Sequence, residues 1–240
     1  VSSPHEADPT AEDPTAPPRG GASRIVIISA GILAVLLIGA TIGMLLTQSL
    51  GGGTDRAVPG SGSVEVGFAQ DMSVHHLQAV TMANWARDHS TDPAVKQLAF
   101  DIASTQTEQV GRMKGWLMLW NQPEQAPGAY MTWMTGPGGH AHAGMTMNTP
   151  APNGAPMPGM ATSAELAKLR SLSGRELDVY FLQLMLRHHQ GGTGMAQFAQ
   201  YHSGLGAVRT LTRSILGSQG AEMQLMTQML AQRGAQPLPS

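Results

Sequence analysis

The sequence predicts an all-α protein, a four-helix bundle made of two repeated helical hairpins and preceded by one transmembrane helix. Three observations predict it. Residues 25–47 form an uncharged, almost wholly apolar stretch. Downstream, apolar, Met and His residues recur at steps of three and four, the spacing of one helix face. The pair His75-His76 returns as His188-His189, 113 positions later and without a gap through about fifty residues. Strand alternation is absent throughout.

Residues 1–24 are rich in Pro, Ala, Ser and Thr, carry four acids and two arginines, and show no apolar period. They are expected to be a disordered tail. The apolar stretch from Ile25 to Thr47 has 23 residues. A helix of that length is ~35 Å long, enough for a ~30 Å hydrocarbon core. A cleaved signal peptide would have a shorter apolar region and an A-x-A-like site, whereas this run leads into Gln48-Ser49-Leu50-Gly51. A retained single-pass anchor is therefore expected. Arg19 and Arg24 before it, against Arg56 beside Asp55 after it, place the N-terminus in the cytoplasm and the C-terminal part outside the cell membrane. Glycine-rich residues 48–63 read as a flexible tether.

Residues 64–121 form the first predicted hairpin. Phe68, Met72, His75, Ala79, Met82, Ala86 and His89 share one face of its first helix. Asp92-Pro93 opens the second, with an acid at the N-cap and Pro at the first helical position. Val95, Leu98, Ile102, Gln106, Gln109, Met113 and Leu117 form its face, and Gln122-Pro123 stops it. Residues 163–234 repeat this plan. The matches include Phe68/Phe181, Met72/Met185, Met82/Met195, His89/His202, Gln106/Gln219 and Met113/Met226. Ser173-Gly174-Arg175-Glu176 has the form of a capping box, Ser203-Gly204 breaks the chain, and Gly234 closes the last helix.

Composition excludes several chemistries. Fourteen Lys and Arg against 16 Asp and Glu leave no basic surplus for nucleic acid. The absence of Cys removes disulfides, thiolate metal sites and a Cys nucleophile. No Ser/His/Asp order or phosphate loop is present, and the chain is not expected to be an enzyme. What remains is His, Met and a few carboxylates.

Helical-spaced methionines commonly fill core gaps. Buried imidazoles are harder to explain, because they need polar partners. Adjacent residues on a helix point ~100° apart, so His75 and His76 do not readily share one metal. Met72, three and four residues before them, falls on the same side, so a mixed Met–His site completed by the partner repeat is feasible. His89, ~21 Å further along, belongs to another site or to none. Thioether sulfur favours Cu(I), whereas iron and manganese seek carboxylates. Glu222 is the main acid on a core face, its counterpart is Gln109, and Glu-x-x-His is missing, which disfavours a di-iron site.

The string Met72-Ser73-Val74-His75-His76-Leu77-Gln78-Ala79-Val80-Thr81-Met82-Ala83 resembles the signature of the domain-of-unknown-function 305 family, which includes CopM-like copper-binding proteins. The resemblance covers roughly residues 64–233. It implies a ferritin-like helical bundle and copper held by Met and His. The matching positions are Met72, His75, His76 and Met82 in the first copy, and Met185, His188, His189 and Met195 in the second; His89 and His202 are further candidate metal ligands outside the motif. The second copy departs by carrying Gly191, Gly192 and Gly194. Each interior Gly weakens a helix by ~1 kcal/mol, so this segment is either locally weak or closely approached by another backbone.

Residues 122–162 are rich in Pro and Gly, so a packed helix is not expected there. They nonetheless hold Met131, Met134, His140, His142, Met145, Met147, Met157 and Met160. Either these methionines pack on the bundle or the segment captures copper; His140, His142, Met145 and Met147 resemble Met/His-rich copper-handling segments. The leading expectation is a membrane-anchored extracytoplasmic protein that binds copper, preferring Cu(I), to sequester it or pass it to a copper-handling partner protein. The alternatives are a ferritin-like metal oxidase and a helical scaffold or sensor that binds no metal.

Overall fold

The computed structural model describes residues 21–50, 58–134 and 154–239. Among them every regular element is helical: α1 (Gly21–Leu50), α2 (Val64–His89), α3 (Pro93–Leu119), α4 (Ser163–Ser171), α5 (Gly174–His202) and α6 (Gly206–Gln232), with a 3-10 turn at Thr132–Met134. The chain divides into two compact units, residues 1–57 and 58–240.

In the first unit α1 is a single apolar helix. Ile27–Thr47 is long and apolar enough to cross a membrane, which is also true of a signal helix, and its side chains are exposed. Thr41 and Thr47 return their hydroxyls to carbonyls one turn back, so these polar groups are satisfied within the helix.

In the second unit α2 pairs with α3 and α5 with α6, and the two hairpins meet through α2 and α5. Local chemistry fixes the helix ends. The Ser63 hydroxyl accepts from the Val66 N–H, and the Asp92 carboxylate accepts from Ala94 and Val95 ahead of Pro93. Asn121, at φ 52°, ends α3, and Gly234, at φ 58°, ends α6 with Ala235 N–H reaching back to the Leu230 carbonyl. The predicted cap at Ser173 is different: its side chain makes no capping bond. The reciprocal box lies one short helix earlier, where Thr162 and Glu165 cap each other at the start of α4.

α2 and α5 run antiparallel, and matched pairs hold their ends. Ser90, just past α2, donates to Asp178 near the start of α5 at 2.5 Å. Ser203, just past α5, donates to Glu65 near the start of α2 at 2.7 Å. Both pairs obey the 113-residue offset.

Two apolar clusters fill the interior. One joins the C-terminal half of α2 and N-terminal half of α3 to the opposite halves of α5 and α6, around Met82, Ile102, Phe181 and Met185. The other lies around Phe68, Met72, Met113, Met195 and Ile215. Each buried Leu, Ile, Met or Phe adds about 2 kcal/mol by leaving water.

Candidate metal centre

Between those clusters, at the middle of all four long helices, the core turns polar. His75 and His76 on α2, His188 and His189 on α5, Gln106 and Gln109 on α3, and Gln219 on α6 are buried together with part of Glu222. The stripe pattern places this layer because each position falls on the inward face of its helix. Nothing in the local propensities requires polarity there, and the four imidazoles have essentially no solvent exposure.

The histidine rings are held unequally. His75 donates from Nε2 to the Pro158 carbonyl at 3.1 Å, and its ring lies 3.8 Å from that of His188, centroid to centroid. His76 Nε2 lies 2.8 Å from Gln109 Oε1, and His189 Nε2 lies 2.6 Å from Glu222 Oε2. These two contacts are counterparts, each joining residues 33 apart. Among the described residues, both ring nitrogens of His188 find no hydrogen-bond partner, nor do Nδ1 of His75, His76 and His189 or the amides of Gln106 and Gln219. So many orphaned buried polar atoms in one layer are unusual, because each costs about 1–3 kcal/mol when left unpaired.

Burial keeps His75, His76 and His188 neutral. Desolvation pushes His75 down to about 4 despite its bond to Pro158, and His76 down to about 3, with neighbouring His75 adding to the effect. His188 is driven well below the ordinary range, first by burial and then by His75 beside it. Neutral imidazole is the form that offers a lone pair to a metal.

The segment at residues 154–162, ahead of α4, forms a strap that closes one side of the layer. Gln78 makes a reciprocal pair with the Ala161 backbone, at 2.9 and 2.7 Å. Across the groove, Gly191 lets the strap touch α5: a Cβ there would come within 2.1 Å of the Pro158 carbonyl oxygen. Of the two readings of the second copy's glycines, close approach of another backbone holds at this position. A Cβ on Gly192 would meet His75 Cε1 at 3.1 Å. Arg187 reaches Glu165 through two 2.8 Å bonds and so ties α4 to α5.

Where the linker is described, the packing alternative holds. Trp133 and Met134 lie buried in the 3-10 turn, and Met157 and Met160 belong to the same apolar cluster. Trp133 sits where a Cβ on Gly67 would be, and its Nε1 donates to Asp71 at 2.8 Å. Burial raises the Asp71 carboxyl against the lowering pull of the Met131 and Trp133 N–H groups. These methionines thus pack on the bundle. His140, His142, Met145 and Met147 lie outside the described residues.

Of the other positions, Met72 and Met195 share one apolar cluster and Met82 and Met185 the other, on opposite sides of the histidine layer. His89 and His202 are not on the buried face; they are exposed at the ends of α2 and α5, stacked on Trp85 and Phe198 respectively. Among the described residues no three of His, Asp and Glu are arranged to hold a metal. The Ser90–Asp178 and Ser203–Glu65 pairs escaped sequence reading, although the repeat offset aligns serine with serine and acid with acid.

Fold and layer together define an all-α helical-hairpin protein with a buried histidine–amide centre. Residues 65–230 match the family described as domain of unknown function DUF305, and the chain belongs to that family. A crystal structure of a DUF305 protein from Streptomyces coelicolor is 42% identical, with a TM-score of 0.65, over 75% of this chain and 100% of that one. A DUF305 fragment from Deinococcus radiodurans is 32% identical, with a TM-score of 0.56, over 70% and 96%. CopM in its Cu(II)-bound form is 26% identical, TM-score 0.53, over 70% and 96%. Its Cu(I)-bound form is 23% identical, TM-score 0.52, with the same coverage, a likeness of fold alone. An uncharacterised protein of Acanthamoeba polyphaga mimivirus is 37% identical over 46 residues, 19% of this chain and 30% of that protein's length.

Proposed function

We propose that this protein is a membrane-anchored, extracytoplasmic copper-binding protein that sequesters copper or hands it on, with a ferritin-like four-helix bundle as its binding domain. The observation that carries the reading is the buried layer of histidines with unpaired ring nitrogens. A cation bound there would satisfy lone pairs that the fold otherwise leaves empty. His75, His76, His188 and His189 are the nitrogen donors, with Met72, Met82, Met185 and Met195 as the nearest thioether reserve. His89 and His202 are separate exterior donors, and His140, His142, Met145 and Met147 make a capture segment. Imidazole with thioether favours Cu(I) over harder ions. CopM, the distant structural relative, has been crystallised with Cu(I), Cu(II) and silver, which supports this cargo. The long apolar helix supports the anchor, and Arg19 and Arg24 on its N-terminal side support a bundle outside the cell.

Metal analysis of the detergent-purified full chain after exposure to Cu(I), Cu(II), Zn(II) and Fe(II) tests the proposal. Retention of Cu(I) in preference to Zn(II) is expected, as is a lower stoichiometry when His140, His142, Met145 and Met147 are all changed to Ala. Deleting 131–160 is the wrong test of the capture segment, because it removes Trp133, Met134 and Met157 from the core. A chain that emerges from dialysis against Cu(I) without metal overturns the reading.

A further inference from the structure

The bundle has two ends related by the 113-residue repeat, and they differ in chemistry. At one of them α2 and α6 start and α3 and α5 stop. Ser203, beyond α5, donates there to Glu65, and Gln70 of α2 donates to the Pro123 carbonyl beyond α3. The chain closes α3 with Trp116-Leu117-Met118-Leu119-Trp120. Met118 and Leu119 are 75% and 73% exposed, and the half-buried Trp116 and Trp120 stack with ring centroids 6.0 Å apart. Tyr201, at the end of α5, is 82% exposed. The repeat supplies an internal control. At the opposite end the counterparts of Met118, Leu119, Trp120 and Tyr201 are Ala231, Gln232, Arg233 and Asp88. Arg233 pairs there with Asp92. The same helical frame accepts polar or small residues at these positions, so packing does not call for large apolar ones. Large apolar side chains gathered in water mark a surface that meets a partner.

Three observations choose the partner. Residues 48–57 are all that separate the apolar span from Val58, a covalent reach of at most ~40 Å. Trp and Tyr are the residues that settle at a membrane–water boundary, where an amphipathic ring meets both headgroup and acyl chain. Charge agrees as well. Two acids at this end are held internally, Glu65 by Ser203 and Gly204, and Asp71 by Met131 and Trp133. Arg209 and Arg213, on the first turns of α6, donate to backbone and hydroxyl oxygens and pair with no carboxylate among the described residues. Unmatched arginines draw a surface to anionic lipid. We infer that this end of the bundle docks on the surface of a lipid bilayer. Trp116, Met118, Leu119 and Trp120 enter the headgroup–acyl boundary, and Arg209 and Arg213 face anionic headgroups. The inference rests on the anchored reading of α1.

The test reconstitutes the full chain into phosphatidylcholine–phosphatidylglycerol vesicles with ordinary or brominated acyl chains, since bromine quenches indole emission on contact. Flotation after an alkaline wash reports the anchor, and quenching reports docking. α1 contains no Trp, so the anchor itself contributes nothing to the second signal. Brominated lipid should lower the emission of the wild-type chain. That loss should vanish in W116F/W120F, which leaves as emitters Trp85, beside His89 toward the opposite end, and the buried Trp133. M118E/L119E changes two exposed side chains, with thermal melts to establish folding, and should also abolish quenching while flotation persists. Equal wild-type emission in the two lipids, or quenching that survives in either double variant, overturns the inference while the anchor stands. A wild-type chain that does not float overturns the anchored reading and this inference together.

Discussion

The two hairpins share a motif and differ at three places that matter. Gln78, Ala79 and Gln109 in the first stand against Gly191, Gly192 and Glu222 in the second. The first of these differences lies under the strap, and the second, Ala79 against Gly192, faces the His75 ring. The strap crosses both central helices, gripping α2 through the Gln78 side chain and α5 through the lack of a side chain at Gly191. One connecting segment cannot treat two related helices alike, so the matched copies diverge where it passes. The third difference puts an acid on one half of the histidine layer and an amide on the other. Repetition supplies the frame, and departures from it supply the chemistry.

Acid provides the largest way to sharpen this comparison. Unfolded histidine titrates near 6.5, whereas His75 titrates at about 4 and His76 at about 3 in the fold. Between those values the unfolded chain binds more protons, so stability is complete above pH 6.5 and is lost as pH falls toward 4. His75 alone is worth roughly 3 kcal/mol over that interval, at about 1.4 kcal/mol per pH unit. Urea unfolding of the metal-free chain at pH 7.5 and 4.5 should show the fall, and His76→Leu should reduce it. A midpoint that does not move with pH contradicts neutral burial of the layer.

The strap contacts come next. Gly191→Ala forces a methyl into backbone that cannot yield, and should cost about 3 kcal/mol. Gln78→Ala removes two hydrogen bonds from the same strap and should cost about 1–2 kcal/mol. Melting temperatures of the two variants measure the difference. Equal losses would mean that the strap is held symmetrically after all.

The smallest effect concerns how the second hairpin begins. Thr162→Ala breaks a reciprocal cap and should cost about 1 kcal/mol. Ser173→Ala removes no capping bond and should fall within about 0.5 kcal/mol of wild type. Denaturation midpoints that reverse this order would return the cap to Ser173.

Much of this molecule was legible in its residues. Step-of-three-and-four spacing located the long helices and their buried faces, and Asp92-Pro93 and Gly234 marked ends the structure retains. The 113-residue offset brought the right histidines into correspondence. Periodicity could not show that helix faces lose their cover where the bundle ends, so His89 and His202 read as buried and are exposed. Nor does a list of methionines distinguish ligand from filling: Met134 and Met157 were ambiguous in a Pro/Gly-rich segment, and long-range packing decided them. Glu222 stood out as the main acid on a core face, but its partner His189 emerged only when α5 and α6 were side by side.

The reciprocal Ser90–Asp178 and Ser203–Glu65 bonds have a mechanical consequence for the imidazoles midway between them. A plate fixed by one pin can pivot, and one fixed by two cannot. Sliding α2 along α5 by a single turn, ~5.4 Å, would shear both pins together, so small slippages have no half-bonded resting place. The 3.8 Å spacing of the tilted His75 and His188 rings is thus gauged from the far ends of the rods that carry them, not by the rings themselves.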